Sequence, residues 1–241
     1  MEKQKFRLKN LLSWTTNVVH LIYPNSCLIC QKELTKSSDQ ICPFCKTELK
    51  YTYFERYEEP TILDQLFWGR VNLKATFALF FFEKGKKVQP ILHALKYKDK
   101  PEIGVQFGEM IGRKLNEIEV FKDLEALVPV PLHPKKLFTR GYNQSEKLAD
   151  GISNELNIPV LKDFIVRNKN TETQTKKGRF LRWENVENKF SVGRKSNENY
   201  KHVAIVDDVI TTGATLEAII QSIQKNNPEV CISVISLALA K

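Results

Sequence analysis

Two adjacent carboxylates, Asp207 and Asp208, are the residues of this sequence best suited to chemistry. The turn that follows them holds hydroxyls around one glycine: Thr211, Thr212, Gly213 and Thr215. Carboxylates bind divalent cations or vicinal sugar hydroxyls, whereas hydroxyls and free backbone N–H groups bind phosphate. Apolar residues 203–206 predict a strand before the acids, and the apolar run from Leu216 predicts a helix after them. The alternative is a polar turn that contains only capping residues.

A second chemical signal is a pair of Cys-x-x-Cys motifs with eleven residues between them: Cys27, Cys30, Cys42 and Cys45. Two such motifs direct four thiolates toward one point, as tetrahedral Zn²⁺ requires. Residues 23–49 contain few apolar side chains, so metal binding would supply their folding free energy. We therefore predict a zinc-ribbon-like module at 23–49 with a structural zinc site. The alternative is two disulfides, which nothing favours because no sign of export is visible.

Composition is typical of a folded globular protein, with 241 residues of which 42% are hydrophobic and 27% charged. No apolar run approaches the roughly 18 residues of a transmembrane helix, so we expect no stable membrane insertion and a cytoplasmic location. Apolar residues recur at helical spacing from Leu8 to Ile22, which predicts an amphipathic helix over 1–22. We expect this helix to pack on the protein; the alternative is a helix that lies on a membrane. Cys231 begins an apolar run and is expected to be buried in a strand.

The elements that must position these residues alternate along the chain. Strand patterns are found at 75–82, 127–132, 158–166, 203–206 and from 230 onward. Helix patterns are found at 61–68, 88–98, 103–115, 143–156 and from 213 to about 225. Such alternation predicts an α/β fold whose mostly parallel sheet has helices on both faces. Because ligands of such folds bind at the carboxyl ends of the strands, the acid pair and the loop after Leu132 are expected on one rim.

Basic residues are concentrated in two segments. The loop after Leu132 contains Lys135, Lys136 and Arg140. Residues 167–201 hold ten Lys or Arg against four Asp or Glu, which accounts for most of the net charge of +9. Long polar segments inside α/β domains are typical of mobile lids over a ligand or of disordered insertions. A solvated basic surface is the alternative for both segments.

Taken together and in this order, the motifs resemble the ComF family, called competence protein F or predicted amidophosphoribosyltransferase. The shared stretches are the double Cys-x-x-Cys, HALKYKDK, PVPLHPKKLFTRGYNQS, a Gln-Thr and an Arg-x-x-Asn, and VDDVITTGAT. Residues 203–215 also resemble the phosphoribosyl pyrophosphate fingerprint of type I phosphoribosyltransferases. The resemblance implies a type I phosphoribosyltransferase-like domain over 50–241, in which 167–201 forms a flexible hood.

The resemblance also implies a role for each site residue. Asp207 and Asp208 would bind the ribose hydroxyls of phosphoribosyl pyrophosphate, and the loop that contains Thr211, Thr212, Gly213 and Thr215 would bind its 5′-phosphate. The candidates for pyrophosphate and hood contacts are Lys96, Lys135, Lys136, Arg140 and Arg182. Mg²⁺ and these cations would stabilise the charge on departing pyrophosphate. The candidate catalytic residues are therefore Asp207, Asp208 and Arg140.

No motif identifies the acceptor of a phosphoribosyl group, and three of the four histidines, His93, His133 and His202, are each expected to be structural or solvated. We expect the chain to be unable to perform a complete glutamine-dependent amidophosphoribosyltransferase reaction, because it has no room for a glutaminase domain. The competing hypothesis is a non-catalytic accessory protein that binds single-stranded DNA and works with competence import proteins, since the family is associated with DNA uptake. The stretches 96–98 and 179–183 combine basic and aromatic residues that suit phosphates and bases.

Overall fold

The computed structural model describes residues 26–34, 39–56, 59–97, 100–167, 189–193 and 200–241. The chain forms two compact units that divide between Leu49 and Lys50. The helix predicted over 1–22 and most of the segment 167–201, including Arg182, lie outside the described residues. Within the described part of the chain, no helix is long and apolar enough to cross a membrane.

The N-terminal unit is built around its cysteine turns. An antiparallel bridge between Ser26 and Glu33 closes the first turn. The backbone N–H of Leu28 donates to the carbonyl oxygen of Gln40 at 3.0 Å, which joins the two motifs. A short helix, α1 (Pro43–Thr47), carries the second motif. The small apolar core of this unit explains why its fold would need a metal.

The second unit is organised on a parallel sheet. Its strands are β1 (Ala75–Phe82), β2 (Ala126–Pro129), β3 (Ile165–Arg167), β4 (Phe190–Val192), β5 (His202–Ile210) and β6 (Cys231–Ala240). The main sheet has the order β1-β6-β5-β2 with every neighbouring pair parallel, and β3 and β4 form a separate antiparallel pair. The central β5 and β6 carry runs of consecutive buried residues, 202–206 and 232–239, as expected for strands that are buried on both faces.

Helices connect and cover these strands. They are α2 (Ile62–Phe67), α3 (Val88–Tyr97), α4 (Pro101–Leu115), α5 (Pro134–Arg140), α6 (Gln144–Leu156) and α7 (Ala214–Asn226). Single 3₁₀ turns lie at Phe54–Arg56 and Glu119–Phe121. The amphipathic pattern of each long helix buries one apolar face, for example Ile103 and Ile111 of α4. The predicted α/β class, with a parallel sheet flanked by helices, is confirmed.

Glycines allow α4 and α6 to approach closely. Gly104, Gly108 and Gly112 lie four residues apart on one face of α4. A Cβ atom on Gly108 would overlap the carbonyl oxygen of Leu148, and one on Gly151 would overlap that of Val105. Because α6 begins at the carboxyl rim of the sheet, this packing fixes the position of its first turn.

Three local predictions were wrong. The strand expected at 158–166 is reduced to a parallel bridge between Leu127 and Val160, followed by β3 from Ile165. Pro159 has no backbone N–H to donate to a neighbouring strand, and Asn157 takes a left-handed conformation with φ of 54°. The segment after Leu132 is not only a loop, since it contains α5. Cys231 lies in β6 as expected but is exposed rather than buried.

Candidate functional site

The paired acids lie where three elements meet. β5 extends to Ile210, four residues beyond its predicted end, so Asp207 and Asp208 lie inside the strand near its carboxyl end. The Asp207 carboxylate accepts hydrogen bonds from the hydroxyl of Ser145 at 3.2 Å and from the backbone N–H of Asp208 at 2.8 Å. The Asp208 carboxylate forms an ion pair with Nζ of Lys96 at 2.8 Å. Helices α3 and α6 therefore each contribute one side chain to the acid pair.

The two acids differ in electrostatic environment. Burial raises the pKa of Asp207 to about 7, and the neighbouring charge of Asp208 adds to this effect. The hydrogen bonds from the Asp208 N–H and Ser145, and the charge of Lys96, act in the opposite direction without cancelling it. Lys96 brings one positive charge to the two acids, and carboxylate oxygens are the ligands that Mg²⁺ prefers. The donor set therefore fits a divalent cation or a sugar diol.

The turn between β5 and α7 caps its backbone donors weakly, with one contact at 3.5 Å from the Ala214 N–H to the Thr212 hydroxyl. Gly213 precedes α7 with φ of 73° and offers no side chain to the first-turn N–H groups. A Cβ atom at this position would lie 2.9 Å from Cε1 of Phe67, so both the backbone conformation and the packing require glycine. The side chains of Thr211, Thr212 and Thr215 are exposed around this turn. A pocket lined by Asp207 and residues 209–216 combines one acid with these donors, which suits a phosphorylated diol.

Arg70, which no motif predicts, supports the turn from outside. Its Nη1 donates to the carbonyl oxygen of Thr212 at 2.8 Å and to that of Leu66 at 3.0 Å. Its Nε donates to the carboxylate of Glu217 on α7 at 3.1 Å. The guanidinium also lies 5.9 Å from the ring centroid of Phe67. Arg70 therefore connects the residues after α2 to Thr212 in the threonine turn and to Glu217 in α7.

The predicted basic residues are distributed unequally. Lys96 pairs with Asp208, and Arg140 donates from Nη1 to Oε1 of Gln144 at 2.9 Å. The Arg140 guanidinium also lies 5.2 Å from the ring centroid of Tyr97. Lys135 and Lys136 are exposed on α5, which has no buried residue. The structure thus brings Lys96 to the acids and Arg140 to the start of α6, whereas Arg182 lies outside the described residues.

The histidines have structural or surface positions. His93 lies against the ring of Tyr97, and His133 caps α5 by accepting from the Lys135 N–H at 3.2 Å. His202, the first residue of β5, bridges a carboxylate oxygen of Asp123 at 2.9 Å and the hydroxyl of Ser233 at 2.8 Å. This Ser-His-Asp arrangement is not a hydrolase site, because Ser233 has no exposed surface. Burial lowers the pKa of His202, which favours its neutral form.

The four clustered cysteines fit a zinc ion. The ligand atoms of Cys27, Cys30, Cys42 and Cys45 all lie within 4.8 Å of one another. The sulfurs of Cys30 and Cys42 are 3.8 Å apart, which is close to the edge of a tetrahedron built from Zn–S bonds of about 2.3 Å. Although burial opposes it, N–H donors from Cys30, Cys42 and Ile29 lower the pKa of Cys27 to about 6. Burial and the neighbouring sulfurs raise that of Cys45 to about 12, so a cation is needed to hold four thiolates here.

Comparison with known proteins gives relatives along most of the chain. A family model described as the phosphoribosyl transferase domain matches residues 143–241, which include the acid pair and the threonine turn. Competence protein F of Haemophilus influenzae is 29% identical over 214 residues, covering 86% of this chain and 87% of that protein. DNA utilization protein YhgH of Escherichia coli K12 is 25% identical over 206 residues, covering 83% and 84%. Competence protein ComFC of Bacillus subtilis is 25% identical over 207 residues, covering 84% and 80%.

Proposed function

We propose that this chain, which belongs to the ComF family of proteins with a phosphoribosyltransferase domain, binds phosphoribosyl pyrophosphate together with Mg²⁺. The observation that carries the proposal is the single pocket in which Asp207 adjoins the weakly capped start of α7. A diol and a phosphate must be bound a few ångströms apart to hold a ribose 5-phosphate group. The acid and the backbone donors of this pocket match those two groups in charge and hydrogen-bonding capacity.

The assignment of groups follows from their chemistry. Asp207 and Asp208 accept hydrogen bonds from the ribose hydroxyls, and Lys96 is then released from Asp208 toward the pyrophosphate. The 5′-phosphate is bound by the turn of Thr211, Thr212, Gly213 and Thr215. The pyrophosphate lies toward the basic side chains of Lys96, Lys135, Lys136, Arg140 and Arg182. Mg²⁺ supplies positive charge to the pyrophosphate oxygens when it is bound.

We further propose that the chain transfers the phosphoribosyl group to an acceptor. The bond between ribose C1 and the pyrophosphate oxygen breaks, pyrophosphate leaves with the electron pair, and the acceptor forms the new bond to C1. Arg140 stabilises the leaving group because a guanidinium can donate two hydrogen bonds to one phosphate. The pyrophosphate contacts matter most for the rate, since negative charge grows there in the transition state.

Binding is tested by calorimetry with Mg²⁺ on the full chain. Replacement of both acids, Asp207→Asn with Asp208→Asn, keeps their shape and removes the charge, so affinity for phosphoribosyl pyrophosphate should fall at least about tenfold. Asp150→Asn is the matched control, because Asp150 pairs with two lysines, Lys147 and Lys162, and with no site residue among those that the structure describes. Equal affinity of the double variant and the wild type would overturn the assignment of the acids.

A role in DNA handling is the broader part of the proposal. The relatives named for competence and DNA utilization support a function of this chain in competence and DNA utilization. We propose that it takes part in DNA uptake in the cytoplasm, together with import proteins. A second candidate activity is binding of single-stranded DNA. It is favoured by the exposed aromatic side chains of Tyr97 (64%) and Phe138 (92%) near Arg140.

The two candidates are separable by one substitution. Phe138→Ala removes an exposed stacking surface but no phosphate or sugar ligand, so it should weaken binding of a single-stranded oligonucleotide and leave phosphoribosyl pyrophosphate affinity within about twofold. Oligonucleotide affinity should also fall steeply with salt concentration. Trp68→Ala is the control, since Trp68 is also an exposed aromatic residue but lies just after α2. Oligonucleotide binding that changes neither with salt nor on Phe138→Ala would reject the DNA candidate.

A further inference from the structure

We propose that the side-chain amide of Gln144 binds the pyrophosphate end of the ligand directly, an inference that rests on the proposed function. Gln144 is only 2% exposed. Among the residues that the structure describes, its Nε2 is the one buried side-chain nitrogen or oxygen without a hydrogen-bond partner. Buried amide donors are almost always paired, and an unpaired one costs free energy. Such an atom in a binding region indicates a donor reserved for a ligand.

The orientation of this amide is fixed by Arg140. A guanidinium has only donors, so the group facing Nη1 of Arg140 at 2.9 Å must be the Gln144 oxygen. The Nε2 atom therefore occupies the other branch of the amide and cannot exchange places with Oε1. Arg140 and Gln144 thus place a guanidinium and an amide N–H₂ side by side. Both groups are hydrogen-bond donors and not acceptors.

The position of Gln144 adds a third source of positive potential. It is the first residue of α6, a helix of thirteen residues whose start is capped by Asn143. The next residue, Ser145, donates to Asp207, so the first turn of α6 adjoins the acid pair. A helix N-terminus favours anions. The acceptor for Nε2 is therefore a phosphate oxygen on the basic side of the acids, which is the pyrophosphate of the proposed ligand.

Nε2 of Gln144 is buried, so a ligand can reach this atom only when residues around it move. Arg140 is the last residue of α5, which has no buried residue and is followed by Gly141 in a left-handed conformation with φ of 75°. A short helix held by so few contacts shifts at little cost. We expect that a shift of Arg140 from Oε1 of Gln144 to the pyrophosphate opens access to the neighbouring Nε2.

A rival role for Gln144 is to hold Arg140 in place without touching the ligand. The two roles differ in a background that lacks the arginine side chain. If Gln144 only anchors Arg140, its replacement has no further effect once Arg140→Ala has been made. If Gln144 contacts the ligand, its replacement weakens binding in both backgrounds.

The experiment is a double-mutant cycle measured by calorimetry with Mg²⁺. Gln144→Met keeps the side-chain volume and removes both polar atoms, so the fold should be retained. We expect affinities for pyrophosphate and phosphoribosyl pyrophosphate to fall about tenfold or more in the wild-type and the Arg140→Ala backgrounds. Affinity for ribose 5-phosphate should stay within about twofold, because that ligand lacks the pyrophosphate. Gln224→Met is the matched control, since the Gln224 amide is already paired with the Asn72 carbonyl.

Each outcome has one meaning. Loss in both backgrounds supports direct contact. Loss only when Arg140 is present, or no loss at all, overturns it while the wild type still binds phosphoribosyl pyrophosphate. A wild-type chain that binds neither phosphoribosyl pyrophosphate nor pyrophosphate overturns the proposed function itself, and the inference with it. Equal losses for pyrophosphate and ribose 5-phosphate would indicate general damage to the site and would also overturn the assignment.

Discussion

Arg70 donates from Nη1 to the carbonyl oxygen of Thr212 at 2.8 Å across 142 positions of sequence. The same guanidinium pairs with Glu217 and lies over Phe67, whose ring leaves no room for a side chain at Gly213. The threonine turn is therefore held in place by a hydrogen bond from Arg70 and by packing against the Phe67 ring. A turn whose N–H groups are held in place before the ligand arrives loses less conformational freedom on binding.

Arg70→Met is expected to weaken binding of ribose 5-phosphate about tenfold, because it removes the donors to Thr212 and Glu217 but keeps most of the side-chain volume. Arg70→Lys should recover only part of the affinity, since an ammonium cannot span both acceptors. Calorimetry with ribose 5-phosphate measures the effect. Arg113→Met serves as control, because Arg113 also pairs with a glutamate but lies on the surface of α4. If Arg70→Met binds ribose 5-phosphate with wild-type affinity, the hydrogen bonds of Arg70 do not contribute to binding by the threonine turn.

Sequence patterns predicted the parts of this site that are local in the chain. The run 203–215 contains its strand, acids and turn within thirteen residues, so periodicity and turn chemistry located the region. They ended the strand at 206, however, whereas β5 continues through both acids to Ile210. Arg70 could not be found in this way, since nothing near it in sequence indicates a partner on α7. The ion pair of Lys96 with Asp208 was missed for the same reason. The motif carrying Lys96 indicated its region but not its partner.

The errors in the fold have similar causes. An apolar run at 158–166 satisfied the strand pattern, but Pro159 and the left-handed Asn157 limit pairing to one bridge. The helix α5 was hidden because its polar and basic composition resembles a loop, and its helical start depends on Pro134 and the His133 cap. Composition therefore predicted the sheet well and the short rim elements poorly.

Asp207 is expected to destabilise the ligand-free protein at neutral and higher pH. Its pKa is about 7 in the folded chain against about 4 for an unfolded aspartate, so between these values the folded state binds more protons. Stability contributed by this group is therefore lost as pH rises from 4 to 7. Asp207→Asn should raise the urea midpoint more at pH 8 than at pH 5. An equal shift of the urea midpoint at both pH values would contradict the argument.

Gly108→Ala is expected to destabilise the second unit by about 1–3 kcal/mol, because the added Cβ overlaps the Leu148 carbonyl and must separate α4 from α6. The shift also moves Ser145 relative to Asp207, so affinity for phosphoribosyl pyrophosphate should fall as well. Urea unfolding and calorimetry measure the two effects. Glu102→Ala, at an exposed position of the same helix, should change stability by no more than about 0.5 kcal/mol. If Gly108→Ala changes neither the free energy of unfolding nor the affinity, the two helices can separate without cost and the prediction is wrong.

The cysteine cluster is expected to bind one zinc ion per chain, since its four sulfurs already lie close to tetrahedral spacing. Cys45→Ser should lose the metal and the ordered structure of the N-terminal unit, whereas Cys231→Ser, outside the cluster, should keep both. Elemental analysis gives the number of zinc ions per chain. Titration of free thiols in denatured protein, with a chelator present, distinguishes zinc ligation from disulfide bonds. Zinc ligation predicts five reactive thiols, whereas two disulfides would leave one. A count of one, with no bound metal, would replace the zinc site by a disulfide framework.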